Sequence, residues 1–314
     1  MERVNLSMKC AGVDVGKRCL DVAVHGGQER LEVANSERGL GELIAWTRAQ
    51  GVSRVGMEAS GGYERAARQA LEEAGFEVVL HQPLEVRLFA RIKRLKAKND
   101  RIDAVLIAAA TAHLDAVKAA SDRRLQELAE RLTAYEQIAS QLAELRGFME
   151  HIALTDLVDI LRAQIRSLAN LKDRLAREIL QRLADHPDLK RRFQLLQSLP
   201  GVGPIVAATL VIRMPELGSM NRGQAASLLG VAPYDRDSGQ YRGLRFICGG
   251  RSRPRRMLYL AALTAKRRDP DFRAFAQRLA ARGKPAKVTI VAVMRKLVEA
   301  ANLVLHRGTP WVPA

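Results

Sequence analysis

The chain holds three cysteines in 314 residues, Cys10, Cys19 and Cys248. They make no even set and no CxxC pair, which argues against a disulfide scaffold and a structural zinc site. Aromatic residues are scarce at 4%. That fits a surface that reads shape and backbone better than one that stacks bases. No uninterrupted apolar run approaches the roughly 20 residues of a membrane helix. The opening stretch, Met1 to Ser7, lacks the apolar core of a secretory signal. The expectation is a cytosolic protein with no membrane partner.

Acidic residues are also unevenly short. Residues 191–314 carry 22 Lys and Arg against 6 Asp and Glu, whereas 1–115 carry 17 against 16 and 116–190 carry 12 against 12. Nearly all of the net charge of +17 therefore sits in the last part of the chain. A dedicated nucleic-acid-binding region produces that asymmetry. With 47% hydrophobic and 27% charged residues the chain is neither disordered nor a membrane bundle. Its length suits about two domains.

The first third alternates in period. Short β-type runs stand at 10–16, 19–24, 31–35, 54–58 and 76–80, with helical patterns at 36–50, 63–74 and 84–114. The order is βββαβαβα. Residues 121–190 show no strand signal and read as two long amphipathic helices, either an intramolecular linker or a coiled-coil oligomerisation arm. Beyond Leu195 the pattern is mostly helical, broken at 231–251 by Gly, Pro, Asp and Ser. This divides the chain at 1–115, 116–190 and 191–314.

Four acids stand out. Asp14 interrupts an apolar strand, where a carboxylate is costly unless paired or bound to a metal. Glu58 ends the fourth strand. Asp100 and Asp103 are spaced i, i+3 on one helix face. Together they suit two hard divalent cations, Mg²⁺ or Mn²⁺, for phosphodiester chemistry. Singly, each has an ordinary alternative as a cap, a surface acid or half of an ion pair. Arg87, Arg91, Lys93, Arg94, Lys96, Lys98 and Arg101 precede or interleave with the last two acids and suit a clamp on a DNA or RNA backbone.

The run Leu199-Pro-Gly-Val-Gly-Pro places Gly201 and Gly203 in a tight turn between helices. It resembles the helix-hairpin-helix motif of non-specific DNA binders, or else a plain connection with glycines for close packing. Ser238 lies in the later loop, followed by Arg242, Arg245, Arg251, Arg253, Arg255 and Arg256, a nucleic-acid patch suited to holding a scissile phosphate. On spacing alone it is a turn residue, and no histidine nearby offers to activate it.

The motifs Gly12-Val-Asp-Val-Gly-Lys, Met57-Glu-Ala-Ser-Gly-Gly-Tyr-Glu, Gln82-Pro and Lys98-Asn-Asp-Arg-Ile-Asp-Ala, followed by Leu199-Pro-Gly-Val-Gly-Pro, Gly230-Val-Ala-Pro-Tyr, Asp237-Ser-Gly, Gly249-Gly-Arg and Val293-Met-Arg-Lys-Leu, resemble the DEDD transposases of the insertion sequence 110 family. The likeness spans almost the whole chain. It departs at Asn99, where that family more often has Thr or Ser, at a position that is not a ligand. The resemblance implies an α/β ribonuclease-H-like (RuvC-like) N-terminal domain, a helical hairpin or coiled coil, and a mostly α-helical C-terminal domain. It implies that Asp14, Glu58, Asp100 and Asp103 are metal ligands and that Ser238 forms a covalent link to DNA. It further implies double-stranded DNA as substrate, a guide RNA that bridges target and donor, and a homo-oligomer. A metal-dependent junction-resolving nuclease and a non-catalytic basic DNA-binding protein remain the alternatives from the residues alone.

Overall fold

A computed structural model describes residues 8–93, 100–114, 122–235, 237–239, 242–243 and 245–312, with backbone alone at 100 and 101. It divides into two compact units, Met1–Ser121 and Asp122–Ala314.

The first unit is built on five strands: β1 (Cys10–Val15), β2 (Cys19–Val24), β3 (Arg30–Ala34), β4 (Arg54–Glu58) and β5 (Glu77–His81). Their order across the sheet is β3-β2-β1-β4-β5. The first three run antiparallel through short turns, while β4 and β5 lie parallel to β1. The parallel pairs need crossovers, supplied by α1 (Glu37–Ala49) and α2 (Glu64–Glu73). Ser36 caps α1 by accepting from the Gly39 N–H. This mixed sheet with its crossover helices is consistent with a ribonuclease-H-like α/β domain.

Period-2 alternation sends the two sets of β1 side chains to opposite faces. Ala11, Val13 and Val15 join Leu20, Val22, Val55 and Met57 in a core closed by Leu43 of α1 and by Ala67 and Leu71 of α2. The other face is covered by α4 (Asp100–Ala112), which follows α3 (Pro83–Ile92). The periodicity predicts one helix over 84–114, and the structure has two. A straight helix of that length would run about 46 Å, far beyond strands about 17–20 Å long. Instead α3 ends at Lys93, and Val86, Phe89 and Ala90 pack on Leu106 and Ile107 of α4.

Among the described residues the second unit is helical apart from one small ribbon. Two long helices, α5 (Arg123–Met149) and α6 (Thr155–Ala184), form an antiparallel hairpin. Arg131 of one meets Glu178 of the other, and nearer the turn Gln141 and Leu145 line one shallow cleft with Gln164 and Leu168. At the open end Leu125, Leu128, Leu132, Ile179 and Leu183 enter the same core as the helices that follow. Those are α7 (Pro187–Gln197), α8 (Pro204–Arg213), α9 (Arg222–Leu229), α10 (Ser252–Arg268), α11 (Pro270–Ala281) and α12 (Ala286–Arg307). At the closed end Phe148, Leu154, Leu157 and Ile160 stand exposed. Two helices alone cannot cover both flanks of their seam. Between α9 and α10 lie β6 (Pro233–Tyr234) and β7 (Phe246–Ile247), an antiparallel pair. No described helix is long and apolar enough to cross a membrane.

Candidate functional site

The register of the sheet sets the acids. Asp14 lies opposite Asp21 of β2, and Val13 lies beside Met57, so Asp14 and Glu58 end neighbouring strands. Glu58 in turn pairs with His81 on β5. Asp14 shares the face of Gly12, and Glu58 the face of Gly56. That face meets α4. A Cβ on Gly12 would collide with the Ala104 carbonyl and the Ala108 amide, and one on Gly56 with Thr111. Both glycines are therefore required for the helix to lie against the sheet.

The direction of α4 follows from its far end. The buried Arg54, which opens β4, donates Nη1–H to the Leu114 carbonyl at 2.7 Å. The C-terminal end of α4 is thus fixed at the start of β4. Its 13 residues span about 20 Å, the length of the strands, so its N-terminal end reaches the other edge, where β1 and β4 finish. Asp103 and the backbone of Asp100 belong to that end. The fold brings Asp14, Glu58 and the first turn of α4 to one end of one sheet face. The Asp100 side chain lies outside the described residues. Among the described side chains no three of His, Cys, Asp or Glu gather closely enough to hold a metal ion. The donor chemistry fits a hard cation: every candidate is a carboxylate.

Two further residues shape this end, and the sequence reading missed both. Asp21 faces Asp14 across the β1–β2 pair. Its place in the strand pattern reads as ordinary surface alternation. Glu64 is buried at the start of α2, and its Oε2 accepts from the Ser60 N–H (3.1 Å), the Ser60 hydroxyl (3.0 Å) and the Gly62 N–H (2.8 Å). Burial pushes its pKa up. The hydrogen bonds from its own amide, Gly62 and Ser60 outweigh that and hold the carboxyl below its usual range. Glu64 thereby fixes the loop that leaves Glu58. Its only signal in the sequence was the last letter of Met57-Glu-Ala-Ser-Gly-Gly-Tyr-Glu. On β5 the buried His81 joins Thr111 at 2.8 Å, and Thr111 donates to the Ile107 carbonyl at 2.7 Å. Because the Thr111 proton is used, His81 Nε2–H is the donor, which ties α4 to the sheet edge.

Of the basic run, Arg87 and Arg91 are exposed on α3, and Lys93 sits over the Phe89 ring at 5.6 Å. Arg94, Lys96 and Lys98 lie outside the described residues.

In the second unit Ser238 is exposed in the excursion between β6 and β7. Asp237 beside it accepts from the Gly243 N–H and from Arg245 at 2.7 and 3.0 Å, and Arg245 also reaches Asp235 at 2.7 Å. One guanidinium thus clamps both limbs of the loop, and its hydrogen bonds hold the Asp237 carboxyl below the usual range. The other arginines divide by role. Arg251 pairs with Glu216 and the Arg213 carbonyl. Arg253 pairs with Glu136 and Thr133 of α5. Arg255 donates to the Gly230 and Gly249 carbonyls. Arg242 and Arg256 are exposed and make no ion pair among the described residues.

The turn from α7 to α8 contains Gly201 and Gly203. Gly201 has φ of 76° and lies on the backbone of α10, where a Cβ would strike Ala261 and Ala265. It serves packing. Gly203 caps α8 in an extended conformation with open space around it.

Residues 11–154 match the family model of DEDD-type IS110 transposases, and residues 193–277 match the model described as Transposase IS116/IS110/IS902 family. The chain is 26% identical over 319 residues to the pilin gene-inverting proteins of Moraxella bovis and Moraxella lacunata, covering 98% of each chain. It is also 30% identical over 117 residues to an insertion element IS110 uncharacterized 43.6 kDa protein of Streptomyces coelicolor, covering 37% of this chain and 29% of that one. The two family matches together take in well over half of the sequence, and the chain belongs to the IS110 family of transposases, enzymes that cut and transfer DNA strands.

Proposed function

We propose that this transposase uses two groups of residues for strand cleavage and rejoining. Asp14, Glu58, Asp100 and Asp103 hold divalent metal, two Mg²⁺ or Mn²⁺ ions for the full set. Ser238 is the nucleophile. The observation that supports the reading is the antiparallel seating of α4, which brings its first turn to the end of the sheet face where Asp14 and Glu58 stand. A divalent ion held there supplies positive charge to the oxygens of a reacting phosphodiester. In the strand break, Ser238 Oγ attacks phosphorus and loses its proton. The bond from phosphorus to the leaving sugar oxygen breaks, that oxygen takes up a proton, and the other strand end stays esterified to the serine. Attack by a different strand's hydroxyl reverses the step and releases Ser238, so one phosphodiester replaces another with little net energy change.

Arg242 and Arg256 are free to neutralise the phosphates flanking Ser238, whereas Arg245, Arg251, Arg253 and Arg255 shape the loop that presents it. The exposed apolar end of the α5–α6 hairpin supports a homo-oligomer, dimer or tetramer, built through that arm. Sequence choice belongs to an element-encoded bridge RNA that pairs with both DNA partners. The pilin gene-inverting relatives support the recombinase reading, since inversion is cutting and rejoining within one DNA molecule.

The test is the covalent adduct. The wild type with labelled DNA should give a protein-linked strand on a denaturing gel, Ser238→Ala none, and Asp14→Ala DNA binding without cleavage. Cleavage by Ser238→Ala without adduct would establish the metal-dependent nuclease instead. DNA binding by a chain with no cleavage under any metal would leave the architectural protein. Sequencing RNA that copurifies with the protein tests the guide.

A further inference from the structure

Much of the positive charge around the serine loop is taken up within the protein. Arg245, Arg251 and Arg253 face Asp237, Glu216 and Glu136. A denser group of exposed cations lies elsewhere in the same unit. Residues 266–287, from the last turn of α10 through α11 to the start of α12, hold eight Lys and Arg and two Asp. Arg267, Arg268, Arg278, Arg282, Lys284 and Lys287 are exposed there and make no ion pair among the described residues. Of the two acids, Asp269 caps α11 by accepting from the Phe272 N–H at 3.0 Å. The two rings of this stretch are not open to a base: Phe272 is buried, and Phe275 packs on the core with Lys296 at 4.2 Å from its centre. A cationic surface without an open ring suits the phosphate backbone of a paired duplex, since a single strand is held largely by stacking. One helix joins this corner to the serine loop. Arg256 and Arg267 of α10 are eleven residues apart, about three turns, so they share a face, with a rise of about 16 Å between them. α10 contains no Asp or Glu, so it repels no phosphate along that face.

We propose that the corner formed by the end of α10, α11 and the start of α12 is a second DNA surface, on which the duplex flanking the attacked phosphate lies. At about 3.4 Å per base step, 16 Å is about five steps. α10 is then a ruler: a duplex with one phosphate at Arg256 brings its backbone to the corner about five steps or more away. The continuity of one acid-free helix face with Arg256 favours DNA over RNA as the occupant. A grip on phosphates carries no sequence information, so it holds the flank in place whatever its sequence while the strand at the loop is cut. The inference rests on the reading that the serine loop engages DNA, but its measurement is of binding and needs no cleavage.

The experiment uses the full chain carrying Ser238→Ala and a long duplex made from an element end and its flank, with its phosphates ethylated at random. Phosphates whose ethylation blocks binding are then mapped. The parent should show two clusters, about five steps or more apart. Arg278→Gln with Arg282→Gln should lose the outer cluster, keep the inner one and lower the slope of log affinity against log salt by about 2, with the melt unchanged. Arg278→Lys with Arg282→Lys keeps the charges and should restore the slope. Lys284→Gln with Lys287→Gln, beyond α11, should also weaken the outer cluster, which separates lost contacts from a fault in that helix. Arg256→Gln should do the opposite, losing the inner cluster alone. The proposal is overturned if the Arg278 and Arg282 glutamine variant keeps the parent's map and slope, or if its loss is uniform over all phosphates. It is also overturned if that variant keeps the DNA map but loses the RNA that copurifies with the parent, which would make the corner an RNA surface. Should the covalent adduct map to another residue while both clusters persist, the DNA surface stands and the nucleophile assignment alone fails.

Discussion

Replacing Gly12 by alanine tests the link between fold and site most directly. The added methyl would meet the Ala104 carbonyl and the Ala108 amide, both backbone atoms of a helix. No rotamer change relieves that, so α4 must move away from β1 by about 1 Å, at a cost of about 1–3 kcal/mol, the usual range for overpacking. The same displacement carries Asp103 away from Asp14 and Glu58, and a misplacement of that size costs about 100-fold in rate. Amide hydrogen exchange in residues 104–112 should rise by about 5- to 150-fold, the factor matching that energy range. Strand cleavage should fall about 100-fold and need more divalent metal, with DNA binding kept. Gly41→Ala is the matched control. Gly41 is exposed inside α1 with nothing near its Cβ position, so the same change should stabilise by about 0.5–1 kcal/mol. Unchanged exchange in α4 and unchanged metal dependence for Gly12→Ala would refute the seating of α4 and, with it, the gathering of the acids.

Other substitutions separate structure from chemistry. The pKa of Glu64 is lowered in the folded state, so it contributes stability above its ordinary value of 4.5 that is lost as pH falls through the folded value. Thermal melts should therefore show the wild type weakening below about pH 4.5 more steeply than Glu64→Gln; parallel curves would remove Glu64 from the account. Glu136 receives Arg213 at 3.3 Å and Arg253 at 2.6 Å in a largely buried setting. Glu136→Ala should destabilise by about 1–3 kcal/mol in denaturant titration, because it leaves two guanidinium groups facing each other. Arg253→Ala should likewise affect stability more than DNA affinity. Arg256→Ala should do the reverse, lowering the slope of log affinity against log salt by about 1 without changing the melt.

The strands and most of the helices were legible because alternation and the 3.6-residue repeat write burial into the chain. The acid positions were legible because Asp14 breaks an apolar strand and Glu58 ends one. Less legible was what each cation does. Arg251, Arg253 and Arg255 read as a nucleic-acid patch, yet they are committed to Glu216, Glu136 and backbone carbonyls whose positions are set far away in sequence. Gly201 read as part of a phosphate-holding turn, with close packing as the plainer alternative, and only the fold shows that it lies on the backbone of α10.

The sequence by itself determined the charge asymmetry, the order of elements, the family and the residue types available for chemistry, since these depend on composition and local period. Only the tertiary structure decided that α4 turns back along the sheet and that Glu64 ties down the loop after Glu58. The first depends on contacts between residues distant in the chain, made where a missing Cβ lets the backbones meet, and the second on a carboxylate buried against amides that only the turn before α2 brings round to it.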